Sequence, residues 1–175
     1  MSDHLNPDDV QQALAAGRPV REHGPYRVQI GDEQLAYRPA VIQDPVPTGR
    51  QVLEAAGAHP VVEYSVFQVL QNGQLEGLRL DETTDLRTRG VEKFLIFHSD
   101  RSFRLDVDGV VFEWGTTRIC GRVLKVLAKV DLTTYGVWQE IPGKDDLAIG
   151  DEQFADLTTN GVERFFTGIV KTTEG

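Results

Sequence analysis

A chain of 175 residues that is 40% apolar and 26% charged has an ordinary globular composition, with length for one or two small domains. A net charge of −9 without any Lys/Arg-rich run sets the surface against phosphate backbones and anionic lipid, so neither nucleic acid nor membrane is an expected partner. No apolar run approaches the ~20 residues that span a bilayer. The N-terminus, MSDHLNPDDVQQ, lacks the basic-then-apolar pattern of a signal peptide, which makes a cytoplasmic protein the expectation.

The first predicted element is a short helix. Asn6 is the expected N-cap, Pro7 suits the first helical position, and Asp8 and Asp9 complement the positive end of the helix dipole. Val10, Ala13 and Leu14 give a thin apolar stripe before Gly17 ends the helix. Strands are expected at Tyr26–Ile30 and Gln34–Tyr37 around a Gly31-Asp32 turn, followed by a Pro-rich loop, RPAVIQDPVPTG. Thr48 is placed to cap a helix reaching about Ala58. Strands at Glu63–Leu70, closed by the Asn72-Gly73 turn, and at Val91–Phe97 complete this half.

FRLDV (Phe103–Val107) alternates as a half-buried strand should, Asp108-Gly109 is a strong hairpin signal, and VVFEW (Val110–Trp114) returns. A helix is predicted over Gly121–Val130, with Val123, Leu124 and Leu127 on one face. YGVWQEI (Tyr135–Ile141) reads as a strand closed by Pro142-Gly143, Leu147–Ile149 as a short one, Asp156-Leu157 as a turn, and Val162–Val170 as the last strand.

The two halves are copies. GVEKF (Gly90–Phe94) and GVERF (Gly161–Phe165) lie 71 residues apart. That offset also pairs Asp85-Leu86 with Asp156-Leu157, Tyr64 with Tyr135, Gln68 with Gln139, and Val52-Leu53 with Val123-Leu124. Gln51 to Leu95 gives 12 identities in 45 positions. Background composition would give about three, so the chain is a duplication. Tyr26-Arg27 matches Phe103-Arg104 at offset 77, which puts about six extra residues in the first copy. These are expected within the Pro-rich loop. The organisation is an extension (1–25) and two modules (26–100 and 101–175). Each runs strand, strand, helix, strand, short strand, strand, the order of the β-grasp fold of ubiquitin and an α+β architecture.

With TGRQVLEAAG (Thr48–Gly57), VFQVLQNG (Val66–Gly73) and the pair DLRTRGVEKF and DLTTNGVERF (Asp85–Phe94 and Asp156–Phe165) in this order, the sequence resembles the bacterial multiubiquitin-domain proteins. These are tandem ubiquitin-like β-grasp chains of ubiquitin-like conjugation operons. The resemblance implies a modifier, not an enzyme. Its expected partners are an E1-like activating enzyme that uses ATP, an E2-like conjugating enzyme, a JAB-type deconjugating protease and target proteins, with phage defence as a setting. It also implies that Gly175 carries the conjugated carboxylate and that Lys171, Thr172, Thr173 and Glu174 form its arm. Glycine lacks the Cβ that would clash in a narrow channel, and the β-branched threonines favour an extended chain. An apolar contact patch is expected on the third strands: Val66, Phe67 and Val69 in one module, Val137, Trp138 and Ile141 in the other.

No cofactor or metal is expected in the chain. His4, His23, His59 and His98 form no spaced ligand set with each other or with Cys120, the single cysteine, which also leaves no internal disulfide. Two other readings stay open. One is an interaction protein that self-associates through sheet edges or the N-terminal helix. The other is a sulfur carrier bearing a terminal thiocarboxylate.

Overall fold

The computed structural model describes residues 6–88, 90–91, 93–159 and 161–170, and divides into two units, Met1–Arg101 and Ser102–Gly175. In the first unit the order is β1 (Asp8–Asp9), α1 (Val10–Ala16), β2 (Tyr26–Gly31), β3 (Arg38–Ile42), α2 (Gly49–Ala55), a 3-10 turn (Val61–Glu63), β4 (Ser65–Val69), β5 (Leu75–Leu78) and β6 (Lys93–Phe97). The sheet runs β3-β2-β6-β4-β5. Its central pair, β2 and β6, is parallel, and the outer pairs are antiparallel. Period-two alternation turns Val28, Ile30, Val66 and Phe94 into one core cluster with Val52 and Leu53 of α2.

The second unit holds β7 (Phe103–Val107), β8 (Val110–Trp114), β9 (Arg118–Cys120), α3 (Gly121–Leu127), β10 (Tyr135–Gln139), β11 (Leu147–Ile149), β12 (Phe154–Asp156) and β13 (Glu163–Ile169). Its main sheet, β8-β7-β13-β10-β11, repeats the first, again with a parallel central pair. β9 and β12 form a separate two-stranded ladder. Beside it, Leu157 N–H donates to Thr117 O, as Leu86 N–H donates to Pro45 O in the first unit. Each unit is a mixed sheet with a helix packed on it, an α+β architecture.

Several details differ from the sequence expectations. Helix α1 begins at Val10, capped by Asp9, whose carboxylate accepts from Gln12 N–H at 3.0 Å. Asp8 and Asp9 are extended and pair in parallel with Tyr26 and Arg27. The reason lies at Asp8: its carboxylate is buried and accepts from Arg18 at 2.7 Å and from Arg21 N–H at 2.9 Å, which draws the chain into the sheet.

The return strand of the first hairpin is Arg38–Ile42, not Gln34–Tyr37. Asp32 Oδ1 accepts from Gln34 N–H and Ala36 N–H, and Leu35 takes a positive φ of 56°, so a wide loop forms where a tight turn was expected. Pro39 is tolerated because β3 is an edge strand. Residues 31–37 join this hairpin, against Asp108-Gly109 alone in the second unit, so five of the extra residues sit here and none in the Pro-rich stretch.

Helices α2 and α3 match at offset 72, as β3 and β8 do before them, one more than the 71 of β4 and β10 that follow. Gly49 N–H donates to Glu82 O and Arg50 N–H to Leu80 O; Gly121 N–H donates to Gln153 O and Arg122 N–H to Asp151 O. Val52 therefore corresponds to Leu124, and Leu53 to Lys125. Lys125 stands at a core position, where its ammonium is satisfied by Leu132 O at 3.1 Å and Asp151 at 2.6 Å. Both helices stop earlier than expected, ahead of positive φ at Gly57 and Lys129.

Candidate functional site

Each sheet has one face under its helix and one face outward. In the second unit, alternation places Trp138 of β10 and Phe166 of β13 on the outer face, directly opposite each other, with Ala148 of β11 beside Trp138. The two rings stack with centroids 5.7 Å apart and planes at 13°. Glycines make this possible. A Cβ at Gly136 would stand 2.9 Å from the indole and one at Gly168 3.4 Å from it, so their absence lets Trp138 lie low over the sheet. Phe166 is 38% exposed, and Val170 and Ile169 beyond it are also open to solvent. Trp138, Phe166 and Val170 thus make an aromatic and aliphatic surface on paired strands, suited to contact with another protein, while Ile169 alternates to the other face.

Polar contacts fix the rim and the end of this face. Asp108, in the β7–β8 turn, accepts from Thr167 N–H at 2.8 Å and from its hydroxyl at 2.7 Å, pinning the turn to β13. Val170 N–H donates to Thr134 O at 2.8 Å. Thr134 belongs to a loop organised by Asp131, which accepts from the hydroxyls and N–H groups of Thr133 and Thr134. Those donors, Thr133 first, hold the Asp131 carboxyl down at about 2. The loop thus braces the last residue before the expected arm. Lys171, Thr172, Thr173, Glu174 and Gly175 lie outside the described residues.

The equivalent face of the first unit is closed. Phe67 lies opposite Leu95 and packs edge-on against Phe97, with centroids 5.6 Å apart, and all three are buried. The longer β2–β3 turn contributes: Tyr37 and Leu95 both crowd Gly31, and Lys93 Nζ sits 5.3 Å over the Tyr37 ring. Leu95 is 0% exposed where its counterpart Phe166 is 38%.

Of the expected patch, Val66 is in the core cluster and Val137 is buried on its own strand. Val69 and Ile141 are half-buried, Phe67 is buried, and Trp138 is on the outer face. The structure adds Phe166, Gly168 and Val170. The adjacent Phe165-Phe166 pair was the available signal, because neighbouring strand residues face opposite sides of the sheet and only one of the two can lie under the helix. Cys120 is buried at the start of α3, and His98 Nε2 lies 3.0 Å from Glu63 with its ring stacked on Tyr64. Among the described residues no group of His, Cys, Asp and Glu could hold a metal ion, and no helix is long and apolar enough to cross a membrane.

A family model described as Multiubiquitin matches residues 33–99 and 103–168, one match in each unit. No curated protein matches the chain.

Proposed function

The chain belongs to the multiubiquitin family, and we propose that it is a ubiquitin-like modifier conjugated to target proteins through the carboxylate of Gly175. The observation that carries this reading is the asymmetry between the units. The second unit keeps an open apolar face across Trp138 and Phe166, and β13, which bears half of that face, runs directly into the arm. An enzyme that grips the face would have the arm in reach of its active site. The first unit, with that face buried, serves as a companion module.

In this proposal an E1-like enzyme joins the Gly175 carboxylate to the α-phosphate of ATP and releases pyrophosphate. A cysteine thiolate displaces AMP to give a thioester, which passes to the thiol of an E2-like enzyme. A target amine then displaces that thiol, forming an amide and losing one proton. A JAB-type protease hydrolyses the amide. Gly175 acts as the free end, whether encoded there or exposed by proteolysis. A bacterial conjugation operon and phage defence are the cellular setting proposed, and the chain itself contributes no catalytic group.

The test is expression of the tagged chain in its own host with the partner genes present. Covalent adducts that survive denaturing electrophoresis should appear with the wild-type chain and vanish when Gly175 is deleted or changed to Asp. Adducts that persist in both variants would overturn the assignment of Gly175.

A further inference from the structure

The N-terminal extension fills a groove in the first unit that the second unit leaves open. In the first unit β6 pairs with β2 only at Gln29–Gly31, and the earlier part of that strand edge, Tyr26–Arg27, is taken by Asp8 and Asp9. Helix α1 then lays Val10 and Ala13, both fully buried, into the same core cluster as Tyr26, Leu86 and Val91. Asp9 also reaches Arg27, 3.9 Å away.

The second unit repeats the groove without its filling. β13 pairs with β7 only at Leu105–Val107, and Phe103 and Arg104 have a ladder to β8 on one side. Among the described residues no strand occupies their other edge. Val162, the counterpart of Val91, is 45% exposed where Val91 is 0%, and Phe103 is half-buried where Tyr26 is 0% exposed. Arg104 is exposed at the register position of Arg27. An open backbone edge, an uncovered apolar floor and a cation coincide at one place.

We infer that this groove is a binding site for a partner segment of defined chemistry: an acidic dipeptide in extended form leading into a short helix with apolar residues at i, i+3 and i+4. The extended part would pair with Phe103–Arg104 by strand addition, its second acidic side chain would meet Arg104, and the helix stripe would cover Val162 and Phe103. Residues 8–21 are the template, because they satisfy the same arrangement within the chain, with Arg18 and Arg21 N–H holding the buried Asp8 carboxylate. A segment of a second copy is a poorer occupant, since it would leave an equivalent groove in its own first unit to fill this one. The site lies at the start of β7 and is independent of the conjugation chemistry proposed above.

The experiment titrates the full chain into a fluorescein-labelled peptide of residues 6–21, NPDDVQQALAAGRPVR, which carries the Arg18 and Arg21 partners of Asp8, and follows anisotropy. Saturable binding is expected, weakened at least about tenfold by Val162→Lys and several-fold by Arg104→Gln. Both side chains are exposed, so circular dichroism should show the fold intact in each variant. No saturation of the wild-type chain up to about 1 mM, or binding unaffected by either variant, would overturn the inference. Concentration-dependent self-association of the unliganded chain that Val162→Lys abolishes would place a second copy in the groove and overturn the assignment to a partner.

Discussion

Trp138 and Phe166 face each other across β10 and β13 and stack in parallel on the outer side of the second sheet, while their counterparts Phe67 and Leu95 are buried. One duplicated module has thus kept an open aromatic face and the other has closed it. The units differ in the β2–β3 turn, where Tyr37 and Leu95 both stand beside Gly31, within an otherwise shared strand order.

If this face is a contact surface and not a stabilising one, Phe166→Ala should cost only about 1 kcal/mol of stability, the scale of one exposed aromatic stack. It should also expose the indole of Trp138, raising acrylamide quenching, while Trp114, fully buried and donating to Arg118 O, stays protected. Trp138→Phe provides the assignment, since it leaves Trp114 as the sole tryptophan. A loss of several kcal/mol would show that the face belongs to the core.

Helices α2 and α3 each start on a glycine pressed against a carbonyl. A Cβ at Gly49 would stand 2.4 Å from Arg79 O, and one at Gly121 2.3 Å from Gly150 O. Gly49→Ala and Gly121→Ala should each destabilise the protein by about 1–3 kcal/mol, even though alanine favours a helix. Urea denaturation checks this, and a neutral or stabilising result would contradict the packing described.

Asp8 ties the N-terminal extension to its module. Burial pushes its carboxyl up, but the Arg18 guanidinium, the Arg21 N–H and the nearby arginine charges outweigh burial and hold it below the usual carboxylate value. A pKa depressed by folding gives stability that is present above the unfolded value of 3.8 and lost as pH falls through the folded one. Asp8→Ala should therefore destabilise the first unit by about 1–3 kcal/mol near neutral pH, with the difference from wild type shrinking in acid. Hydrogen exchange at Val10–Ala16 reads the effect, and unchanged protection would contradict it.

Asp131 should remain ionised down to about pH 2 in a carbon-detected NMR titration. Thr133→Val removes the hydroxyl that contributes most to this and should return the carboxyl toward 3.8. The sign again means that the turn's support for Thr134, and through it for Val170, persists above pH 3.8 and fades toward about 2. An ordinary carboxylate value in the wild-type chain would remove Asp131 from this role.

The duplication and the strand order were legible because matched letters and hairpin signals agreed. Asp108-Gly109 is a two-residue turn in sequence and in structure. Gly31-Asp32 carries a similar signal, but Asp32 bonds forward to Gln34 and Ala36 and widens the loop, an effect of side-chain hydrogen bonding that turn composition does not reveal. The helix register was hidden by coincidence. Val-Leu occurs in both helices, so identity favoured offset 71, while carbonyl contacts at Gly49 and Gly121 set 72. The outer face depended on which of Phe165 and Phe166 points inward, and that is decided by register with β10 and β7. The pairing of Asp8-Asp9 with β2 left no trace in a sequence that reads equally well as a helix start.

The central claim is that Gly175 becomes joined to target amines. The direct measurement is tryptic mass spectrometry of the tagged protein, purified under denaturing conditions from its host with the partner genes expressed. Trypsin cleaves after Lys171, so a conjugated lysine should carry a Thr-Thr-Glu-Gly remnant linked through Gly175. Finding that remnant is the predicted result and names the targets. Its absence while the partner enzymes are present and active would contradict the account.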